Sequence, residues 1–84
     1  MKFLAEINVM PKKEILDPQG KAVKLGLENL GVGQIDDVRI GKHITLEIEA
    51  NSVEKANAIV EEACKKLLAN VIMESFTFKI SKID

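Results

Sequence analysis

The chain has one cysteine, one histidine, no tryptophan and no tyrosine. A lone Cys64 cannot close an internal disulfide, which suits a reducing compartment. One thiol and one imidazole cannot assemble a structural zinc site, so no metal site is expected. Charge of one sign is also missing: twelve basic residues face thirteen acidic ones. Nothing therefore marks a polyanion or an anionic membrane as a partner. No apolar run approaches the length of a membrane span. Met1-Lys2-Phe3 is expected to lead into a strand rather than a signal peptide, and a cytoplasmic location follows.

Catalytic constellations are scarce as well. There is no GxxxxGK[ST] or GxGxxG phosphate cradle, and Gly31-Val32-Gly33 is too short and follows a helix. Asp36 and Asp37 are adjacent, so in an extended strand they point to opposite faces and cannot act as a carboxylate pair. Cys64 would need an activating base, and His43 is the one imidazole available. Cys64 falls on a helix beside core positions and reads as a buried, inert thiol. His43, at a turn, reads as solvated or capping. No catalytic and no cofactor-binding residue is expected.

What is present is strong patterning over 84 residues, read as a single domain, 1–84, with a small core that oligomerisation would supplement. Phe3 to Met10 alternates, with Phe3, Ala5, Ile7 and Val9 on one face, and predicts a half-buried strand ended by Pro11. A helix is expected from Asp17 to about Leu30, with an apolar stripe of Val23, Leu27 and Leu30. Gly26 beside that stripe suggests close approach of helix and sheet, and Gly31 is placed to close the helix as C′. Ile35 to Ile40 and His43 to Ala50 predict two further strands joined at Gly41. A three-residue turn pairs Ile40 with Ile44 and Val38 with Leu46, keeping one apolar face. A two-residue turn would leave both faces apolar.

Ser52 caps a second helix, with Ala56, Ile59, Val60, Ala63 and Leu67 inward and the pairs Glu61/Lys65 and Glu62/Lys66 outward. Asn70 is a plausible C-terminal cap. A last strand places Phe76, Phe78 and Ile80 on one face. The order β-α-β-β-α-β with right-handed crossovers predicts an α+β, ferredoxin-like plait: a four-stranded antiparallel sheet with two helices on one face. The plait also serves RNA-binding domains, which stack bases on aromatics of the central strands. Here those strands carry Phe3 alone, expected to point inward, so no nucleic-acid partner is predicted.

The stretch Ile15 to Val23 is the most informative. Asp17 can serve as N-cap, accepting hydrogen bonds from first-turn amides. Pro18 fits the first helical position. Gly20 inside a first turn costs about 1 kcal/mol against alanine, so the backbone must be bare there for a reason. Close packing on its own strand is one explanation, and close approach by another chain or ligand is the other. Arg39-Ile40-Gly41-Lys42 could grip a carboxylate or phosphate. Arg39 could equally pair with Asp37 or Glu47 across the hairpin. The residues leave both readings open.

Taken in order, Leu16-Asp17-Pro18-Gln19-Gly20, Ala22-Val23, Asp37 to Lys42, Cys64 to Asn70, and Glu74 resemble the small PurS-type subunits of phosphoribosylformylglycinamidine synthase. The resemblance spans nearly the whole chain. One departure is Val71, where that family usually has proline. The resemblance implies a non-catalytic subunit of a purine-pathway amidotransferase. A glutaminase subunit frees ammonia from glutamine, and a larger synthase subunit uses ATP and Mg to convert formylglycinamide ribonucleotide to the amidine. Dimers of the small subunit bridge the two. A homodimer, with a tetramer as its further pairing, is expected, and Leu4 and Met10 on the wet face of the first strand fit that. Asp17, Gln19, Gly20, Arg39, Gly41, Lys42, Asn70 and Glu74 are the candidate interface residues, since they lie at element ends where a rigid scaffold presents loops. The alternative from another class is a stand-alone, ACT-like dimeric module that senses small molecules.

Overall fold

A computed structural model describes residues 1–83. Strand β1 (Lys2–Pro11) lies at the centre of the sheet, between β2 (Lys42–Glu49) and β3 (Glu74–Lys82), both antiparallel to it. Its alternation works as expected: Phe3, Ala5, Ile7 and Val9 are buried, and Asn8 on the other face is exposed. The register aligns the apolar faces of all three strands, with Ile7 opposite both Ile44 and Phe78, and Ala5 opposite Leu46 and Ile80.

Helix α2 (Val53–Ala63) covers that face. Ser52 caps it, its hydroxyl accepting from the Lys55 amide at 3.2 Å. Ala56, Val60 and Cys64 are fully buried. The two expected ion pairs form on the wet side, Lys65 to Glu61 at 3.5 Å and Lys66 to Glu62 at 2.7 Å. A π-helical turn, Cys64–Leu68, follows, closed by the Ala69 amide on the Cys64 carbonyl at 3.0 Å. That wider turn inserts a residue into the helical register. Leu67, expected inward, is thereby turned out and is 83% exposed, while half-buried Leu68 packs against the core. Ile59, also expected inward, is exposed.

The predicted four-stranded plait is corrected by the structure. The sheet has three strands in the order β2-β1-β3, which is the plait without its second strand. Residues 34–41 form no strand, so the two alternatives for a tight turn at Gly41 both lapse. Helix α1 (Pro18–Asn29) does form, and it ends as expected with Gly31 at φ +85°. It does not pack on the sheet, however. Its one buried residue is Gly20, at its start, and Gly26 has open space where a side chain would stand. The chain spans 51 × 27 × 14 Å with a radius of gyration of 16.4 Å. A compact chain of this length would give about 12 Å. Residues 12–41 therefore form an arm, leaving β1 at Pro11 and returning to β2 at Lys42.

Candidate functional site

The arm is joined to the sheet by a neck in which three segments meet. The Asp17 carboxylate caps α1, accepting from the Gly20 amide at 3.0 Å, and its second oxygen accepts from the Ile40 amide at 2.8 Å. Asp17 is buried. These two backbone hydrogen bonds, with the nearby Arg39 charge, hold its carboxyl below the ordinary range despite the opposing effect of burial. Arg39 donates through Nη2 to the carbonyls of Lys12 at 2.6 Å and Ile15 at 3.1 Å. It pairs with neither Asp37 nor Glu47, the two partners the sequence suggested. The outgoing and returning limbs of the arm are thus tied by one anion and one cation, each bonded to backbone.

Glycine is needed twice here. A methyl at Gly20 would overlap the Val38 carbonyl oxygen, and one at Gly41 would overlap Met10 Sδ and the Val9 carbonyl oxygen. The bare backbone thus serves contacts inside the chain. These contacts also account for the missing strand. With Ile40 held by Asp17, Arg39 on the opposite limb and Gly41 seated on β1, the chain runs straight into β2 without folding back on it.

The third segment enters from β3. Asn70 donates its amide to Glu74 Oε1 at 2.8 Å, and its side-chain oxygen accepts from the Ile72 amide at 3.1 Å. Lys42 Nζ lies 3.9 Å from Glu74 Oε2. The Lys12 amide donates to the Met73 carbonyl at 2.9 Å, joining this turn to the neck. Together the segments line an open cleft of about 360 Å³, walled by Pro11, Ile15, Leu16, Ile40 and Met73. Asp17, Gln19, Asn70 and Glu74 are its polar lining. Four of the eight candidate residues therefore share one cleft. Gly20, Arg39, Gly41 and Lys42 hold the neck around it.

The sequence placed Leu16 in the motif before α1 and Ile40 in an expected strand, but no local pattern brings them together with Ile15 and Met73. Leu16, Ile72 and Val71 are exposed beside the cleft, at 75%, 78% and 46%.

His43 Nδ1 sits 2.8 Å from Asn8 Oδ1 on the exposed face of the sheet. Cys64 lies in the core, where burial, helped by the Glu61 charge, raises its thiol pKa. Among the described residues no cluster of histidine, cysteine and carboxylate side chains could hold a metal ion. Among them too, no helix is long and apolar enough to cross a membrane.

Fold and neck together define a small α+β module, a three-stranded body with a projecting helical arm. Residues 4–82 match the family model described as PurS: Phosphoribosylformylglycinamidine (FGAM) synthase. The chain is 36% identical over 81 residues to the PurS subunit of phosphoribosylformylglycinamidine synthase from Bacillus subtilis, covering 96% of this chain and 95% of that one. It is 38% identical over 82 residues to the corresponding subunit of Synechocystis, covering 98% and 82%. In the solved structure of PurLQS from Thermotoga maritima, a chain 32% identical superposes with a TM-score of 0.88, over 96% of this chain and 99% of that one. The chain belongs to the PurS family of phosphoribosylformylglycinamidine synthase subunits.

Proposed function

We propose that this chain is the non-catalytic, bridging subunit of a glutamine-dependent phosphoribosylformylglycinamidine synthase. In this reading it joins a glutaminase subunit to an ATP-using synthase subunit in the cytoplasm. Glutamine, ATP and Mg are handled by those partners. The observation that carries the proposal is the arm, whose helix is not packed on the body. Helix α1 has twelve residues, a length marginal in water without packing, and it contains two glycines. Val23, Leu25 and Leu30 on it are exposed. A surface so incomplete is built for association. The Thermotoga maritima structure, in which a similar chain belongs to PurLQS, supports the same reading.

Association begins with a second copy. The α1 stripe of Val23, Leu27 and Leu30 lacks a partner within the chain, and Ile44, Leu46 and Ile48 of β2 are only half-buried on the face that a plait's first helix would cover. Each copy supplies what the other lacks, and such an exchange closes with two-fold symmetry. Tetramers would follow from pairing of these dimers.

Reconstitution tests the assignment. Either larger subunit alone, or both without this chain, should turn over poorly with glutamine as nitrogen donor, and adding the chain should restore turnover. The isolated chain should show neither glutaminase nor ligase activity. Full glutamine-dependent turnover without it would overturn the bridging role. Tight calorimetric binding of an amino acid or nucleotide by the lone chain would favour a sensing module instead.

A further inference from the structure

The neck contains the most tightly bonded side chains of the arm, and beyond it the arm is unsupported. Asp17 ties Gly20 to Ile40, and Arg39 ties the returning limb to the Lys12 and Ile15 carbonyls. Further out, among the described residues, the backbone of residues 33–38 makes no hydrogen bond and α1 buries only Gly20. The direction of the arm is therefore set at its base. Helix α1 is about 18 Å long. A rotation of roughly 10–20° at the neck would carry its tip roughly 3–6 Å, as far as neighbouring side chains on a helix face stand from each other. A partner surface matched to the stripe would then miss its register.

We propose that Asp17 and Arg39 are paired positioning residues: they aim the arm so that a second copy can receive α1, and do not themselves touch that copy. This rests on the homodimer reading above. Each group is suited to the task. Both Asp17 oxygens are occupied, one on each limb, and no neutral side chain of the same size can accept two backbone amides on separate oxygens. One guanidinium nitrogen spans two carbonyls three residues apart, a fork that an alkyl ammonium reproduces only in part. The two charges also attract each other, so each holds the other's limb in place.

The test uses the full-length chain. Dimer dissociation constants are measured by sedimentation for the wild type, Arg39→Ala, Arg39→Lys, Asp17→Asn and the Asp17→Asn/Arg39→Ala double variant. Amide exchange is followed alongside at Gly20, Ile40, β1 and β3. Arg39→Ala should weaken the dimer by at least about tenfold, the loss of roughly one charge-assisted hydrogen bond. Arg39→Lys should recover part of that. The double variant should cost less than the two single changes combined, since both act on one joint. Protection in β1 and β3 should persist while Gly20 and Ile40 exchange faster, which separates misdirection of the arm from unfolding. An Arg39→Ala dimer of wild-type affinity, or a dimer lost only where β1 and β3 lose protection too, would refute the positioning role. A monomeric wild type would refute the homodimer reading and this inference with it.

Discussion

The sheet body and the arm both carry apolar patterning, yet they complete themselves in opposite ways. In the body, β1 is bonded along both edges and its inward residues Ala5, Ile7 and Val9 have no exposed surface. In the arm, α1 carries a stripe at helical spacing, but Leu30 at its end is 80% exposed and Val23 is 42% exposed. The body's patterning is satisfied within one chain. The arm's patterning can be satisfied only outside it. Periodicity reports that a face will be covered, and leaves open which chain covers it.

The largest effect that would break this comparison belongs to the body. Ile7 is among the largest fully buried side chains and faces strands on both sides. Ile7→Ala should cost about 2–5 kcal/mol, from lost burial and the cavity left behind. A domain of this size is held by roughly 4–12 kcal/mol in all, so the urea midpoint should fall by a large fraction of its value. A urea midpoint near wild type would mean that the body is not the seat of stability.

A smaller effect should separate the arm from the body. Leu30→Glu places a charge where a single chain leaves the side chain in water, so an isolated chain should lose little. If a second copy covers the stripe, the dimer should weaken by at least about tenfold, since a buried, unpaired carboxylate is strongly disfavoured. Sedimentation across a dilution series reads this directly. An unchanged dissociation constant would place Leu30 outside the interface.

Most of the body, and both ends of α1 in the arm, were legible in the sequence. The alternation of Phe3 to Val9 and of Phe76 to Ile80, the Asp17 and Ser52 caps, Gly31 at C′ and the outward Glu–Lys pairs all follow from local rules, and all appear. The misplaced element was Ile35 to Ile40. Its residues favour extended backbone, but a strand also requires a neighbour. What decides its neighbour is the capture of Ile40 by Asp17, at a separation of 23 residues, which no local pattern encodes. Leu67 failed for a different reason. The wider turn at Cys64–Leu68 shifts the helical phase, and phase was the whole basis for expecting Leu67 inside. At the cleft, the polar residues were found because they lie at element ends within the family motifs. Of the apolar walls, Ile40 carried a periodic signal, but for a strand that does not form, and nothing local joins it to Leu16 and Met73.

Acid should loosen the joint between the two regions. Asp17 has its carboxyl pKa lowered from the ordinary 3.8, chiefly by the Gly20 amide, then by Ile40, with Arg39 adding to them. A depressed acid contributes its stabilisation in full above its unfolded pKa and loses it as the pH falls through the folded value. Arm attachment should therefore be constant from neutrality down to about pH 4–5 and weaken below that. Exchange at the Ile40 amide, corrected for its intrinsic pH dependence, should rise in that acid range in the wild type. It should stay flat in Asp17→Asn, which has no proton to gain there. A parallel rise in both proteins would assign the acid response to some other carboxylate.

The smallest effect is expected on the outer face of α2 and of the π-helical turn that continues it, where the comparison predicts almost none. Lys66 and Glu62 sit 2.7 Å apart, and the contact lowers the pKa of the acid and raises that of the base. Both side chains are well exposed, at 75% and 61%. Water and salt screen such a pair, and ordering two long side chains offsets much of the attraction. Neither residue faces the core or the cleft. Lys66→Ala should therefore leave the melting midpoint and dimer affinity within experimental error, and raising the salt concentration should not widen any gap between variant and wild type. A clear loss of complex assembly with the larger subunits, at unchanged dimer affinity, would reveal that α2 also presents a contact surface. The division into a self-sufficient body and an associating arm would then be too simple.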